Sequence, residues 1–376
     1  MVGGQRTAAD RRSSGPLHGG DWRGALDKYG WQPDDILDFS ANINPLGPPA
    51  GVRACLAENL RAVIRYPDPA SRELKEVLSS QLRVSPEALL IGNGATEIIY
   101  SLCFLLRPRA VLVAEPTFGE YRRAAVAAGA RVVYLPLSAG DGFRLDGDQF
   151  SRYLPQVEMA FLCNPNNPVG NLLGERDLEI ILEESLKHGT WMVVDESFLD
   201  FVREERRRSL VLEAARYPRL VVVKSLTKFF ALPGLRLGYA AASPSVVRYV
   251  EARRDPWCVN ILAQVAGAAA LKDREFVVNT WKWLEEEKAY LYHGLAALPG
   301  VRPYPSEANF FLVDIRQTGW SSGRLADACA RRRILVRDCS SFTGLGDGYI
   351  RVAVKERQAN STLLGVLGEL LSGGCP

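Results

Sequence analysis

Residues 219–243 read RLVVVKSLTKFFALPGLRLGYAAAS. Two short apolar runs, RLVVVKS from Arg219 and LGYAAAS from Leu237, flank a loop in which one lysine, Lys228, stands among Phe and Leu side chains. Short runs of this kind read as buried strands. The pattern repeats upstream in AVLVAEP from Ala110, RVVYLPL from Arg131, MAFLCNP from Met159 and TWMVVDES from Thr190. Helical stretches such as EYRRAAVAAGA and ERDLEIILEESLKHG lie between several of them. Apolar strands alternating with helices predict an α/β fold, a mainly parallel sheet with helices on both faces.

Beyond Pro244 the pattern changes. A long helical region, REFVVNTWKWLEEEKAYLYHGLAAL, begins near Arg274. Three strand-like runs follow: NFFLVDI from Asn309, ILVRDCS from Ile334 and YIRVAVK from Tyr349, with a closing helix after Glu356. This predicts a smaller α+β domain. The expected organisation is a flexible tail over 1–16, an N-terminal segment over 17–47 packing with the small domain, a large domain over 48–270 and a small one over 271–376. The Pro/Gly-rich piece NINPLGPPAG, from Asn42, serves as the link.

The chain has 376 residues and a net charge of +3, from 46 basic and 43 acidic side chains. That balance offers no electrostatic case for nucleic acid or an anionic membrane. No apolar run is long enough to span a bilayer. The Arg-rich start lacks the apolar core of a secretory signal. The seven cysteines are scattered without CxxC or zinc spacing, and three histidines are few for a metal site, so no metal is expected. Reduced thiols of a cytoplasmic protein are the expectation.

A lysine ending an apolar strand is commonly a surface residue that snorkels to water. It can also be a Schiff-base amine, activated by partial desolvation and nearby cations. Ser225, three residues before Lys228, and Arg236, eight after, could hold a phosphate beside the amine. Amine and phosphate site together are what pyridoxal phosphate requires. The cofactor needs an acid at its pyridinium nitrogen. Asp195 ends a strand, where ligands meet open α/β sheets, although a strand-terminal Asp is also a common helix cap. In GNGATEII, Gly94, Ala95 and Thr96 could open a helix onto the phosphate, or form a plain turn. NPNNPVG could be turn chemistry, or could aim the Asn167 amide at the ring oxygen.

SLTKFFALPGLRLGY, NPNNPVG, VVDES, AEPTFGEY and RYPDP together resemble the fold type I pyridoxal-phosphate enzymes, in the histidinol-phosphate aminotransferase branch. The resemblance runs from about His18 to the last helix. It implies Lys228 as the covalent anchor, Asp195 at the pyridine nitrogen, Asn167 at the ring oxygen and Phe118 stacked on the ring. It further implies Gly94, Ala95, Thr96, Ser225 and Arg236 around the phosphate. Tyr66 in RYPDP resembles the tyrosine such enzymes lend to the neighbouring subunit, which implies a homodimer.

The cofactor leaves the reaction open, because substrate-positioning groups choose which bond breaks. Three features bear on it. His18 and Gly19 begin HGG, which could be an incidental turn. Asn42 lies in DFSANINPLG, whose Asn residues could be turn formers. Arg337 and Arg351 sit in strand runs, where an inward arginine is costly unless it meets an anion. Together they resemble the L-threonine-O-3-phosphate decarboxylase family of cobalamin biosynthesis, and imply a phosphorylated amino acid as substrate. Phe198 stands where aminotransferases commonly carry the tyrosine of Asp-x-x-Tyr, a departure expected in the decarboxylase branch. The competing expectations are a histidinol-phosphate-type aminotransferase and a non-catalytic ligand-binding protein on the same scaffold.

Overall fold

The computed structural model describes residues 19–203 and 208–373; the tail Met1–Pro16, His18 and Cys375 lie outside the described residues. The chain divides into two compact units. The larger comprises Ile43–Glu286 and Pro305–Asn309. The smaller comprises the described residues up to Asn42, Glu287–Tyr304 and the chain from Phe310 onward.

The larger unit holds seven strands: β1 (Leu89–Gly92), β2 (Ala110–Glu115), β3 (Arg131–Pro136), β4 (Met159–Cys163), β5 (Trp191–Asp195), β6 (Leu220–Ser225) and β7 (Gly238–Ala242). They form one sheet in the order β1-β7-β6-β5-β4-β2-β3. Only β7 runs against its neighbours, pairing antiparallel with both β6 and β1. The sheet is therefore mainly parallel, and the strand at Leu89, absent from the sequence reading, completes it.

Every residue of β4 and β6 is buried. One face of the sheet, through Val111, Val113, Phe161, Val193, Val221 and Val223, joins Ile98, Ile99, Leu102, Tyr121, Ala124 and Val247 in a single apolar cluster. The opposite-facing Leu112, Ala160, Met192, Val194 and Val222 are equally enclosed. Burial on both faces is why these strands read as unbroken apolar runs rather than as alternating ones. The exception is β3, an edge strand with four exposed or half-buried positions before Leu135.

The intervening helices carry ordinary boundary chemistry. Glu175–His188 has Glu175 and Asp177 in its first turn and Lys187 and His188 in its last, complementing the helix dipole, and Gly189 caps it in the left-handed region.

The smaller unit contains a four-stranded sheet of β8 (Arg302–Pro303), β9 (Phe310–Asp314), β10 (Arg337–Asp338) and β11 (Tyr349–Ala353), in the order β10-β11-β9-β8. The run ILVRDCS, expected to be one strand, is divided. Ile334 and Leu335 pair in parallel with Leu37 and Asp38, while Arg337 and Asp338 pair with Arg351 and Ile350 of β11. Its two halves satisfy different partners, which apolar patterning alone does not reveal. The helix expected near Arg274 spans Arg274–Ala296.

Candidate active site

In an open α/β sheet, ligands meet the carboxyl ends of the parallel strands. In the larger unit that edge carries Gly94 after β1, Asn164 after β4, Asp195 at the end of β5 and Ser225 at the end of β6. Because β7 runs the other way, its start lies at the same edge, and Arg236 lies two residues before it.

Gly94 stands at φ +80 as the residue before the helix Ala95–Leu106. A Cβ on Gly94 would lie 2.6 Å from Arg236 Nη2. One on Gly238 would lie 2.6 Å from the Ala95 amide nitrogen. Two glycines thus let a helix N-terminus and an arginine approach one another without side chains between. Thr96 lies in the first turn of that helix. First-turn N–H groups, the positive end of the helix dipole and a guanidinium together suit an anion. The Ser225 hydroxyl lies 2.7 Å from Thr227 Oγ1, and Lys228 Nζ donates to Ser225 Oγ at 3.3 Å. The Lys228 amine stands 6.0 Å from the Phe198 ring centroid.

Asp195 is buried. Its Oδ1 accepts from the Ser197 amide at 2.9 Å, and its Oδ2 accepts from the Tyr121 hydroxyl at 2.7 Å. Tyr121 is fully enclosed and stacks on Phe161 at 4.9 Å, with Phe118 edge-on at 5.5 Å. Burial, then the adjacent carboxylate, hold the phenol well above its usual range, so it is a permanent donor to Asp195. The sequence reading missed Tyr121. The i, i+3 spacing of Phe118 and Tyr121 at a helix start was the signal available.

Asn44 was also missed. Its backbone amide donates to the Lys228 carbonyl at 3.1 Å, and its Nδ2 donates to Phe229 O and Thr280 Oγ1, both at 2.9 Å. It tethers the loop that carries the lysine. On the neighbouring strand position, buried Lys224 donates to Asp200 Oδ1 at 2.6 Å. This ion pair holds the turn that follows Phe198. Asn167 is buried beside the β4 end, and Phe118 is half-buried. Tyr66 is 79% exposed and packs on Trp257 at 4.9 Å.

The smaller unit gathers the other candidates. Arg337 and Arg351 are register partners on adjacent strands and both are buried. Arg337 Nη2 donates to Ser341 Oγ at 2.6 Å, and Arg351 Nη2 donates to the Ser40 carbonyl at 2.8 Å. Burial lowers the pKa of Arg337, and burial with the nearby Arg337 charge brings Arg351 down to about 10. Like charges opposed across a ladder repel, and an anion placed against them relieves that cost. Gly19 lies directly on Ser40, where a Cβ would overlap the Ser40 carbonyl oxygen. The Gly20 amide donates to Ser40 Oγ at 2.8 Å. Asn42 is buried two residues further on. Gly19 and Arg351 therefore meet at Ser40, with Arg337 paired beside Arg351. Among the described residues no group of three or more His, Cys, Asp or Glu could hold a metal ion.

An α/β sheet with a lysine, a buried acid and an anion cradle at its carboxyl edge defines a class, and residues 34–367 match that class as a family. The chain belongs to the class I and II aminotransferases. Within the family it is 37% identical to the threonine-phosphate decarboxylase of Salmonella typhimurium, covering 96% of this chain and 98% of that protein. It is 30% identical to the histidinol-phosphate aminotransferase of Methanocaldococcus jannaschii, covering 92% and 91% respectively. It superposes on the crystal structure of L-threonine-O-3-phosphate decarboxylase from Porphyromonas gingivalis with a TM-score of 0.77 and 29% identity, over 89% of this chain and 99% of that one.

Proposed function

We propose that the protein is a pyridoxal-phosphate-dependent carboxy-lyase that converts L-threonine O-3-phosphate to (R)-1-amino-2-propanol O-2-phosphate and carbon dioxide. The product suits the aminopropanol arm of cobalamin. The observation that carries this reading is the opposed, buried pair Arg337 and Arg351, a dicationic site matched to a substrate with both phosphate and carboxylate. Similarity to threonine-phosphate decarboxylases over nearly the full chain supports it.

The donor set of the larger unit fits the cofactor. Lys228 would anchor it covalently. The Ala95 amide, the Thr96 and Ser225 hydroxyls and Arg236 would hold its phosphate where the Gly94 cradle leaves room. Phe118 would stack on the ring and Asn167 would meet the ring oxygen. Asp195 would face the pyridine nitrogen, its carboxylate fixed by Tyr121 and Ser197. When bound, the cofactor supplies an electron sink for the pair left on the substrate's Cα.

The protein's own task is to select the bond. Arg337, Arg351, Asn42, Gly19 and His18 would take the phosphate and carboxylate and so orient the Cα–carboxylate bond for cleavage. That bond breaks, carbon dioxide departs, and the electron pair stays with Cα. Lys228 Nζ would then deliver a proton to Cα. Phe198, buried beside the amine, offers no hydroxyl at a position where the aminotransferase branch carries one.

Tyr66 would reach the phosphate of a second copy. Tyr66, Trp257 and the exposed Leu60, Val63 and Ile64 supply an apolar surface for a homodimer. A cytoplasmic setting agrees with the six described cysteines, all of them free thiols. Among the described residues no helix is long and apolar enough to cross a membrane.

The deciding assay incubates the purified holoenzyme with threonine phosphate. Carbon dioxide release without a keto acid is the expected result. Turnover only with histidinol phosphate and 2-oxoglutarate would replace this reading with the aminotransferase.

A further inference from the structure

Lys228 stands in a helix of only four residues, Leu226–Phe229. A single turn has too few hydrogen bonds to hold itself. The chain then passes through Ala231 at φ +52, a left-handed setting that a non-glycine residue keeps only under outside constraint. The position of the lysine is therefore set by what grips its backbone. Within the larger unit, two segments distant in sequence do so.

Asn44 is the first. It is buried, and each polar atom of its side chain is engaged. Its Oδ1 accepts from the Leu46 amide at 3.1 Å, which fixes the plane of the side-chain amide. The two Nδ2 hydrogens then go to Phe229 O and Thr280 Oγ1. With its own backbone N–H on Lys228 O, Asn44 holds two successive carbonyls, the lysine's and the next. The helix Arg274–Ala296 supplies the second segment. Thr280, fully buried, backs the Asn44 amide. Phe276, one turn earlier on the same helix face, has its ring 6.2 Å from that of Phe229 and 6.0 Å from that of Phe230. Asn44 thus holds the carbonyls of the lysine turn, and Phe276 packs on its rings.

We propose that Asn44, braced by Thr280, is a positioning residue that fixes where the Lys228 amine stands for its two tasks. The inference rests on the reading of Lys228 as the anchor of the cofactor. In the first task, Nζ forms a C=N bond with the cofactor's aldehyde carbon and water leaves. In the second, the ammonium gives a proton to the electron pair at Cα and becomes the neutral amine. A lysine stem is long and flexible, so the amine finds one face of Cα only if the stem starts from a fixed point. Asn44 touches neither reacting atom in this scheme; it acts through the peptide groups that carry the lysine.

The test compares wild type with N44A, T280V and T280S. The first measurement adds pyridoxal phosphate to the apoprotein and follows the rise of visible absorbance. The second runs the holoenzyme with threonine phosphate in heavy water and asks whether deuterium enters one face of the product carbon or both. Misplacing a reacting group costs up to about a hundredfold in rate, so N44A should lower both the rate of absorbance rise and kcat by roughly tenfold or more, with KM near wild type. N44A should also label both faces where wild type labels one. T280V should move the same way by less, and T280S, which keeps the hydroxyl, should match wild type. A merely structural role lowers the melting temperature without changing the labelled face. Wild-type absorbance kinetics and single-face labelling in N44A would therefore overturn the proposal, whatever its melting temperature. If N44A does not fold, the threonine variants decide, and equal behaviour of T280V and T280S would overturn it. Should wild type not decarboxylate threonine phosphate, the substrate reading fails on its own, and the absorbance kinetics still decide the role of Asn44.

Discussion

The Tyr121–Asp195 contact governs how one carboxylate meets the rest of the site. A buried carboxylate is free to rotate unless both oxygens are engaged, and here the Ser197 amide and the Tyr121 hydroxyl engage one each. Removing the hydroxyl alone, in Y121F, keeps the ring stacked on Phe161 and leaves Asp195 one donor short. Hydrogen bonds to charged groups contribute about 1.5–3 kcal/mol. Y121F should therefore bind pyridoxal phosphate roughly tenfold or more weakly. Spectroscopic titration of the apoprotein measures this, with thermal melting to show that the fold is retained. Unchanged cofactor affinity would remove Tyr121 from the site.

The strand ends bring together groups that the interior of the sheet would exclude. Glu115 closes β2 and is buried, with its Oε2 accepting from the Thr117 amide at 2.9 Å. Burial raises its pKa from 4.5 to about 7, against smaller opposing effects of the Thr117 amide and Arg122. The folded state then holds a proton that the unfolded state releases. The stabilising contribution is fully present below about pH 4.5, is lost as pH rises towards about 7, and is level above that. Gln in its place can still accept from Thr117 and has no proton to lose. E115Q should flatten stability over that window and gain on the order of 3 kcal/mol relative to wild type above it. Denaturant midpoints across the pH range provide the measurement; parallel curves for the two proteins would contradict it. The division of ILVRDCS is a lesson at the same scale. Alternation of apolar residues marks a strand but not its partner, so only the fold reveals that Leu335 and Arg337 serve different ladders.

At the scale of the whole molecule, the larger unit exposes an apolar surface that a monomer has little reason to keep. Ile64 is 85% exposed and Tyr66 79%, beside Leu60, Val63 and Trp257. A second copy would cover it. The wild-type protein should sediment as a dimer, and I64D, which places a charge in the apolar surface, should shift it towards monomer with loss of activity. A monomeric wild-type protein with full activity would exclude the dimer and the role of Tyr66 together.

Sequence alone determined the class: short apolar strands between helices, and five motifs in family order, sufficed for the mainly parallel sheet and the family. These are local features, since four of the five motifs lie at strand ends, with their turn chemistry written in adjacent residues. Tertiary structure decided what distant residues do. Asn44 reaches the lysine loop across 184 positions to Lys228. Gly238 admits the helix at Ala95. Arg351 and Lys355 converge on carbonyls more than 300 positions upstream. No periodicity encodes such pairings, because they arise only when separate strands are brought into register and their side chains lose water together.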